Sequence, residues 1–597
     1  MLSLLLSPAC RRGHEQTGEF PRDQTLILGG QGWTNPSSFN PLLSNADWPT
    51  SANLIYESLF AYDTESGELR PLLGKSYTVT ESAIDVVLDP AARFSDGTEV
   101  TACDVGYGFE LGRQYRSMPV APVWQYLDRI EYPGAPEGAC AWPPPPGVVR
   151  PRTLRLVMNA ERKNPLVLLD VLAGNHVLPQ HKIAPALASV RGDIALFNQL
   201  KFDENPVGSG PYRLLSYSAE KIVLVRDDRY WGNQARHAGR LPAPKFVLAP
   251  IYKSNDHFSI GLQQGRIDMS SSFVPRIWLK ARKGVRAWYD QIPYFPPSAI
   301  TMFYVNVQRR PLGDVHMRRA MAYAINYADI AELAVTGYSL PLRPGLILPF
   351  GVEAKYFSEA DARQYGTHYD PGKAKAELAA GGYTPVWGAD GELVETRDAS
   401  GQRLPTLFIK SAAGWTDWES AVRIAVKSIR AVGIDVREKF VDTNLFFAAW
   451  YTGDFDLLIQ TPIPPQPLPS KPWSRFESVL TARDWAPEGD KMFKDQGRFN
   501  RPGSPEYVPR IEALLDQIPA LTDEPARAAA YRELNRLFMQ FQPTIPVVYR
   551  PFSFYEFSTR VWQGFPDGRH PYLPPQVPGD GLGTEMLWEL KLTRPSE

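Results

Sequence analysis

The side chains of this chain that could do acid–base, nucleophilic or metal chemistry are eight histidines, three cysteines and 65 aspartates and glutamates. Their spacing assembles none of the familiar machinery. No Gly-x-Ser-x-Gly elbow, Gly-x-x-x-x-Gly-Lys phosphate loop, His-Glu-x-x-His pair or Gly-x-Gly-x-x-Gly turn occurs. Only His176 and His181 lie near each other, and a separation of five suits no common metal-binding face. Carboxylate pairs abound but cannot be ranked by spacing. What remains is recognition rather than bond making, and the material for it is aromatic: 15 Trp, 27 Tyr and 28 Phe. No catalytic residue, metal or cofactor is expected.

The rest of the composition narrows the partners. Lys+Arg number 64, so 597 residues carry a formal charge of −1. That balance gives no basic footprint for nucleic acid and no polybasic handle for an anionic membrane. At 44% hydrophobic the chain can fill large cores. Its 56 prolines cannot populate helix interiors and must lie in loops, turns and strand edges.

The three cysteines exclude a disulfide scaffold and form no Cys-x-x-Cys pair. The chain opens on a short apolar run ending in small residues before Cys10, then turns polar through residue 24. Such a run is too short to span a bilayer. It reads as the end of a bacterial lipoprotein signal, with Cys10 as the lipidated residue, or else as a terminus without a role. No other stretch approaches 18 uninterrupted apolar residues. Cys103 and Cys140 are left as a pair: one disulfide if the protein is exported, or two buried thiols.

The elements that must position any site follow from periodicity. Helical spacing is found over 53–63, 102–115, 258–265, 315–335, 372–381, 415–432, 443–451, 507–517 and 524–542. Strands are expected at 25–32, 76–79, 84–88, 213–217, 221–226, 246–252, 303–307, 406–410, 434–440, 454–460 and 545–549. Strands alternating with helices across 406–460 predict a βαβ layer. Proline-rich stretches at 133–151 and 461–473 punctuate the pattern, and 553–597 reads as mostly irregular. Asp96, Asp104 and Asp314 read as caps or turn residues. Arg318 and Arg319 read as surface and interdomain ion pairs.

Five segments in register resemble one family. They are Tyr56-Glu-Ser-Leu-Phe-Ala-Tyr-Asp63 with Gly67 to Tyr77, and Phe94-Ser-Asp-Gly-Thr98 with Thr101 to Val105. Asn205-Pro-Val-Gly-Ser-Gly-Pro-Tyr212, Asp314 to Asn326, and Thr544-Ile-Pro-Val-Val-Tyr-Arg-Pro551 complete the set. In this order they resemble the substrate-binding proteins of ABC importers that take oligopeptides, nickel or cello-oligosaccharides (extracellular solute-binding protein family 5, cluster C). The resemblance implies an α/β fold of two hinged lobes with an additional inserted domain. A lipoprotein signal and linker would occupy 1–24, lobe I 25–55, 205–293 and 520–597, the inserted domain 56–204, and lobe III 294–519. It further implies a monomer that is exported to the periplasm or cell surface, held to the membrane only through a lipid anchor, and partnered by permease and ATPase subunits.

Within the family, Gly32 to Pro41, Lys253-Ser-Asn-Asp256, Gly414-Trp-Thr-Asp-Trp418 and Tyr555 to Pro575 resemble the cello-oligosaccharide members. Peptide binders of the family carry an Asp just beyond the strand that here begins Gly453-Asp-Phe-Asp456, yet 457–473 contain no acid. A buried peptide ammonium would lack its counter-charge there. Neutral sugars need instead flat apolar faces and amide or carboxylate groups for their hydroxyls. The expected platforms are Trp33, Trp278, Trp415, Trp418 and Trp473, and the expected hydrogen-bonding groups are Asn35, Asn255 and Asp417. Two other functions fit the same sequence: an oligopeptide carrier of the same fold, and a secreted glycoside hydrolase.

Overall fold

The strand Ala299–Val305 is apolar on both faces and buried along its whole length. A strand of that composition needs neighbours on both edges and cover on both sides. The computed structural model, which describes residues 20–29, 35–43, 52–252, 254–462, 468–483, 485–504, 507–551 and 553–593, supplies them. Ala299–Val305 runs antiparallel to Leu457–Gln460 on one edge and to Thr544–Arg550 on the other. Leu407–Ala412 and Val436–Val441 continue the sheet in parallel, linked by the helices Thr416–Ala431 and Thr443–Thr452. This five-stranded sheet is the centre of the second lobe.

The first lobe is built on a seven-stranded mixed sheet. Its order is Val285–Ala287, Glu556–Ser558, Met269–Ser270, Thr25–Gly29, Phe246–Pro250, Lys221–Arg226 and Tyr212–Tyr217. Between the first and last passes of the chain through this lobe lies an inserted domain with a four-stranded antiparallel sheet, Gly74–Val79, Ala83–Leu88, Thr153–Met158 and Leu127–Glu131. Cys103, in the helix Ala102–Gln114, and Cys140, in the proline-rich excursion, form a disulfide within it. The helix begins at Thr101, whose backbone N–H donates to the Asp104 carboxylate at 2.9 Å. That contact holds one of the donors a helix start leaves unpaired.

Several expectations need correction. Residues 520–550 do not belong to lobe I. The helix Glu524–Phe541 leads directly into Thr544–Arg550, which completes the second lobe's sheet, so the chain crosses back only at 551–555. The helix expected over 53–63 is a single turn, Ala52–Ile55, followed by the strand Phe60–Tyr62. There the aromatic pair flanking Ala61 and the Asp63–Gly67 turn favour a hairpin with Leu69–Pro71. The helix expected over 315–335 stops at Ala324. Asn326 starts a new turn by accepting the Asp329 N–H at 3.3 Å. Arg318 is not a surface ion-pair residue: it is fully buried and donates to the carbonyls of Leu312, Gly313, Phe541 and Gln542. Arg319 does pair with Glu377, at 2.9 Å. Asp104 and Asp314 sit at helix starts and Asp96 in a turn, as their sequence contexts suggest.

Candidate functional site

Two short segments join the lobes: residues 288–298, which lead from Val285–Ala287 to Ala299–Val305, and 551–555, which return from Thr544–Arg550 to Glu556–Ser558. A pair of connections this short acts as a hinge. An aromatic cluster fills it. Tyr338 of the second lobe packs against Phe273, Tyr294, Phe295 and Phe554 at centroid distances of 5.7, 5.3, 4.7 and 5.5 Å. The Tyr338 hydroxyl donates to the Glu556 carboxyl at 2.9 Å. Burial holds that carboxyl well above the usual range.

Away from the hinge the lobes meet through Asn255 and Asp417. Asn255 opens the lobe I helix Asn255–Gln263, and Asp417 lies in the first turn of Thr416–Ala431. The Asn255 Nδ2 donates to Asp417 Oδ1 at 3.0 Å, and its Oδ1 accepts from the Ser272 hydroxyl at 2.6 Å. The Asn255 backbone N–H reaches the Gly414 carbonyl at 3.3 Å. Burial raises the Asp417 carboxyl, against the opposing pull of the Arg550 guanidinium and the Asn255 hydrogen bond.

Beside this contact stands a row of rings on the second lobe. Trp415 meets Trp418 at 4.8 Å edge to face, and it lies 5.6 and 6.1 Å from Phe446 and Phe447. Trp415 and Phe447 are half-buried, whereas Trp418 and Phe446 are buried. The strand Leu457–Gln460 ends nearby in neutral groups. The Gln460 Oε1 accepts the Thr461 N–H at 2.8 Å, and the Thr461 hydroxyl lies 3.2 Å from that of Thr301. Lys471, Ser474 and Arg475 surround a small cavity with Thr461 and Ile300. Arg475 is committed to Glu353 through paired contacts of 2.7 and 2.8 Å.

The structure thus brings Asn255, Trp415, Asp417 and Trp418 together between the lobes and separates the others. Trp473 is corrected outright. It is 1% exposed, donates its indole N–H to the Leu515 carbonyl at 2.8 Å and packs edge-on to Tyr126, so no face is open to a ligand. Trp418, 3% exposed, is likewise no open platform; its ring lies under Arg550. Trp278 is 44% exposed but stacks on Tyr294 at 5.9 Å, on the outside of the hinge cluster. Asn35 is exposed. Trp33 and Cys10 lie outside the described residues. Sequence reasoning missed Arg550, Tyr338 and Glu556. An arginine closing an apolar strand beside aromatic residues was the available signal for the first; nothing local marks the other two.

Among the described residues no group of three or more His, Cys, Asp or Glu is placed to hold a metal ion, and no helix is long and apolar enough to cross a membrane.

Lobes that touch through side chains on facing helices, while a hinge joins them behind, define the class of proteins that trap a solute between two halves. The chain belongs to the bacterial extracellular solute-binding proteins, family 5, whose middle region matches residues 68–478. It is the substrate-binding component of an ABC importer, of an extracellular or periplasmic family whose members partner permease and ATPase subunits. A mannohexaose-bound periplasmic oligopeptide-binding protein of Thermotoga maritima is 28% identical, with a TM-score of 0.82 over 96% of this chain and 99% of the other. The oligopeptide-binding protein AppA of Bacillus subtilis, solved with a nonapeptide, shares the fold at 18% identity and a TM-score of 0.71, over 96% of this chain and 99% of the other. The peptidoglycan-binding protein YepA of Agrobacterium fabrum is 24% identical over 549 residues, covering 84% of this chain and 80% of its own.

Proposed function

We propose that the cleft between the lobes captures an oligosaccharide, of the cello- or related β-linked gluco-type, and that closure on it presents the loaded form to the permease. The observation that carries this reading is the end of the strand Leu457–Gln460. Gln460 and Thr461 are neutral, whereas the family resemblance implies an Asp a few residues beyond this strand in the peptide binders. A cation buried there without a counter-charge would cost several kcal/mol, on the order of breaking a buried ion pair. Sugar hydroxyls are served by Asp417, Thr461 and Gln460, and a pyranose face by the half-exposed edge of the Trp415–Phe447 row. An indole face covering about 60 Å² of ring contributes about 1.5 kcal/mol. The mannohexaose bound by the Thermotoga maritima protein supports the same ligand class.

The second reading is an oligopeptide carrier, favoured by the ligands named for other relatives: peptidoglycan for YepA and glutathione for the protein GsiB of Escherichia coli. Tryptophan fluorescence titrated with cello- and manno-oligosaccharides and with tri- to pentapeptides separates the two. Saturable quenching by sugars at micromolar concentration is the expected result; saturation by peptides alone would replace the first reading with the second. Shortened sugars after incubation would point to a hydrolase instead.

A further inference from the structure

We propose that Arg550 recognises a carboxylate in the interlobe cleft, and that the oligosaccharide carried is an acidic one bearing a uronic-acid unit at this point. The inference rests on the oligosaccharide reading above and narrows it.

Arg550 is the last residue of Thr544–Arg550, where the chain leaves the second lobe for the first. Its guanidinium carbon lies 5.5 Å from the Trp418 ring centre and 5.0 Å from that of Phe554. Rings on the guanidinium fix the plane of its donor fork and strip it of water. Arg550 is half-buried, and three buried arginines show how this fold treats such a group. Arg318 donates to four backbone carbonyls. Arg475 is bound twice to Glu353, and Arg498 donates to the carbonyls of Thr452, Pro487, Asp490 and Gln496. The Arg550 guanidinium, by contrast, makes no hydrogen bond or ion pair among the described residues, and its Nε is buried without a partner.

The charges around it leave the position open for an anion. Among the described residues Asp417 is the one acid that bears on Arg550, and its carboxylate is engaged by Asn255 rather than ion-paired to the guanidinium. Glu556, six residues on, is bound to the Tyr338 hydroxyl. A planar carboxylate fits the fork with two parallel N–H···O bonds. A carboxylate, with one negative charge, meets less opposition from the neighbouring Asp417 than a dianionic phosphate would. Trp415 stands 4.8 Å from Trp418, over whose ring the guanidinium lies, so a pyranose resting on the Trp415 edge would sit one ring away from Arg550.

Calorimetric titration would use cellotetraose and the same tetramer oxidised at one C6 to glucuronate, alongside tri- to pentapeptides with free or amidated C-termini. The acidic tetramer is expected to bind about tenfold or more tighter than the neutral one, the range of a charge-assisted hydrogen-bond pair. R550Q should bring that ratio close to one, and R550K should retain part of it; circular dichroism and melting establish that each variant is folded. Equal affinity for the two tetramers, or an undiminished ratio in folded R550Q, would overturn the proposal while leaving the oligosaccharide reading intact. Binding of peptides with no response to either tetramer would overturn both.

Discussion

Glu556 is a carboxyl group placed where a charge is costly: fully buried at the hinge, with a tyrosine hydroxyl as its side-chain partner. Burial raises its pKa well above that of the unfolded chain. Below the ordinary carboxylate pKa, both states hold the proton and the group is neutral in its effect. As pH rises through that range the unfolded chain ionises and the folded one does not, so stability falls until the folded group itself loses its proton. E556Q keeps an oxygen to accept from Tyr338 and removes the titration. The variant is expected to melt about 3 °C or more above the parent at pH 8, with the difference shrinking toward zero near pH 4. Thermal melts across that interval check it; a constant difference at every pH would mean that packing, not ionisation, governs this position.

At the scale of elements, the turn Val207-Gly208-Ser209-Gly210 shows how closely two segments must approach to return the chain from the inserted domain to lobe I. A Cβ at Gly208 would stand 1.9 Å from the Ile55 carbonyl oxygen, and one at Gly210 would stand 2.5 Å from that of Leu54. The Gly210 N–H meanwhile donates to the Ile55 carbonyl at 2.9 Å. Because the obstacle is backbone, G208A must displace the Ala52–Ile55 turn. The expected cost is about 2–4 kcal/mol, measured as a lowered denaturant midpoint at unchanged m-value. A loss under about 0.5 kcal/mol would show that the turn relaxes freely. This glycine pair was legible from sequence as a turn, and the alternation across 406–460 as a parallel layer. Which lobe owns Thr544–Arg550 was not legible, because its partner Ala299–Val305 is some 245 residues earlier and both strands are predominantly apolar without alternation. Periodicity carries no register between strands so far apart. The same gap explains the tryptophans: Trp415 and Trp473 both stand at helix starts, yet one edges the cleft and the other is sealed by Leu515 and Tyr126. Local sequence specifies the helix start, and only tertiary packing decides what lies over the ring.

For the molecule as a whole, the contact of Asn255 with Asp417 and Ser272 is both a ligand-reach position and a bond between lobes, and the two roles have different consequences. Closure is an equilibrium, so removing contacts made only in the closed form shifts it toward the open form. In N255A the bond to Ser272, within lobe I, is lost from both forms alike, whereas loss of the bond to Asp417 across the cleft costs the closed form about 1–2 kcal/mol. That corresponds to a roughly five- to thirtyfold change in the closed-to-open ratio. If the residue is a latch, small-angle scattering of the ligand-free variant should give a larger radius of gyration than the parent, and affinity for every ligand should fall by a common factor. If instead Asn255 chiefly serves ligand hydroxyls, the scattering curves of the two proteins coincide and affinity falls unequally across sugars that differ in one hydroxyl. The geometry favours the latch, because both polar ends of the amide are already occupied by protein groups, one on each side of the cleft. The tetramer titrations described above then read ligand recognition at Arg550 separately from closure at Asn255.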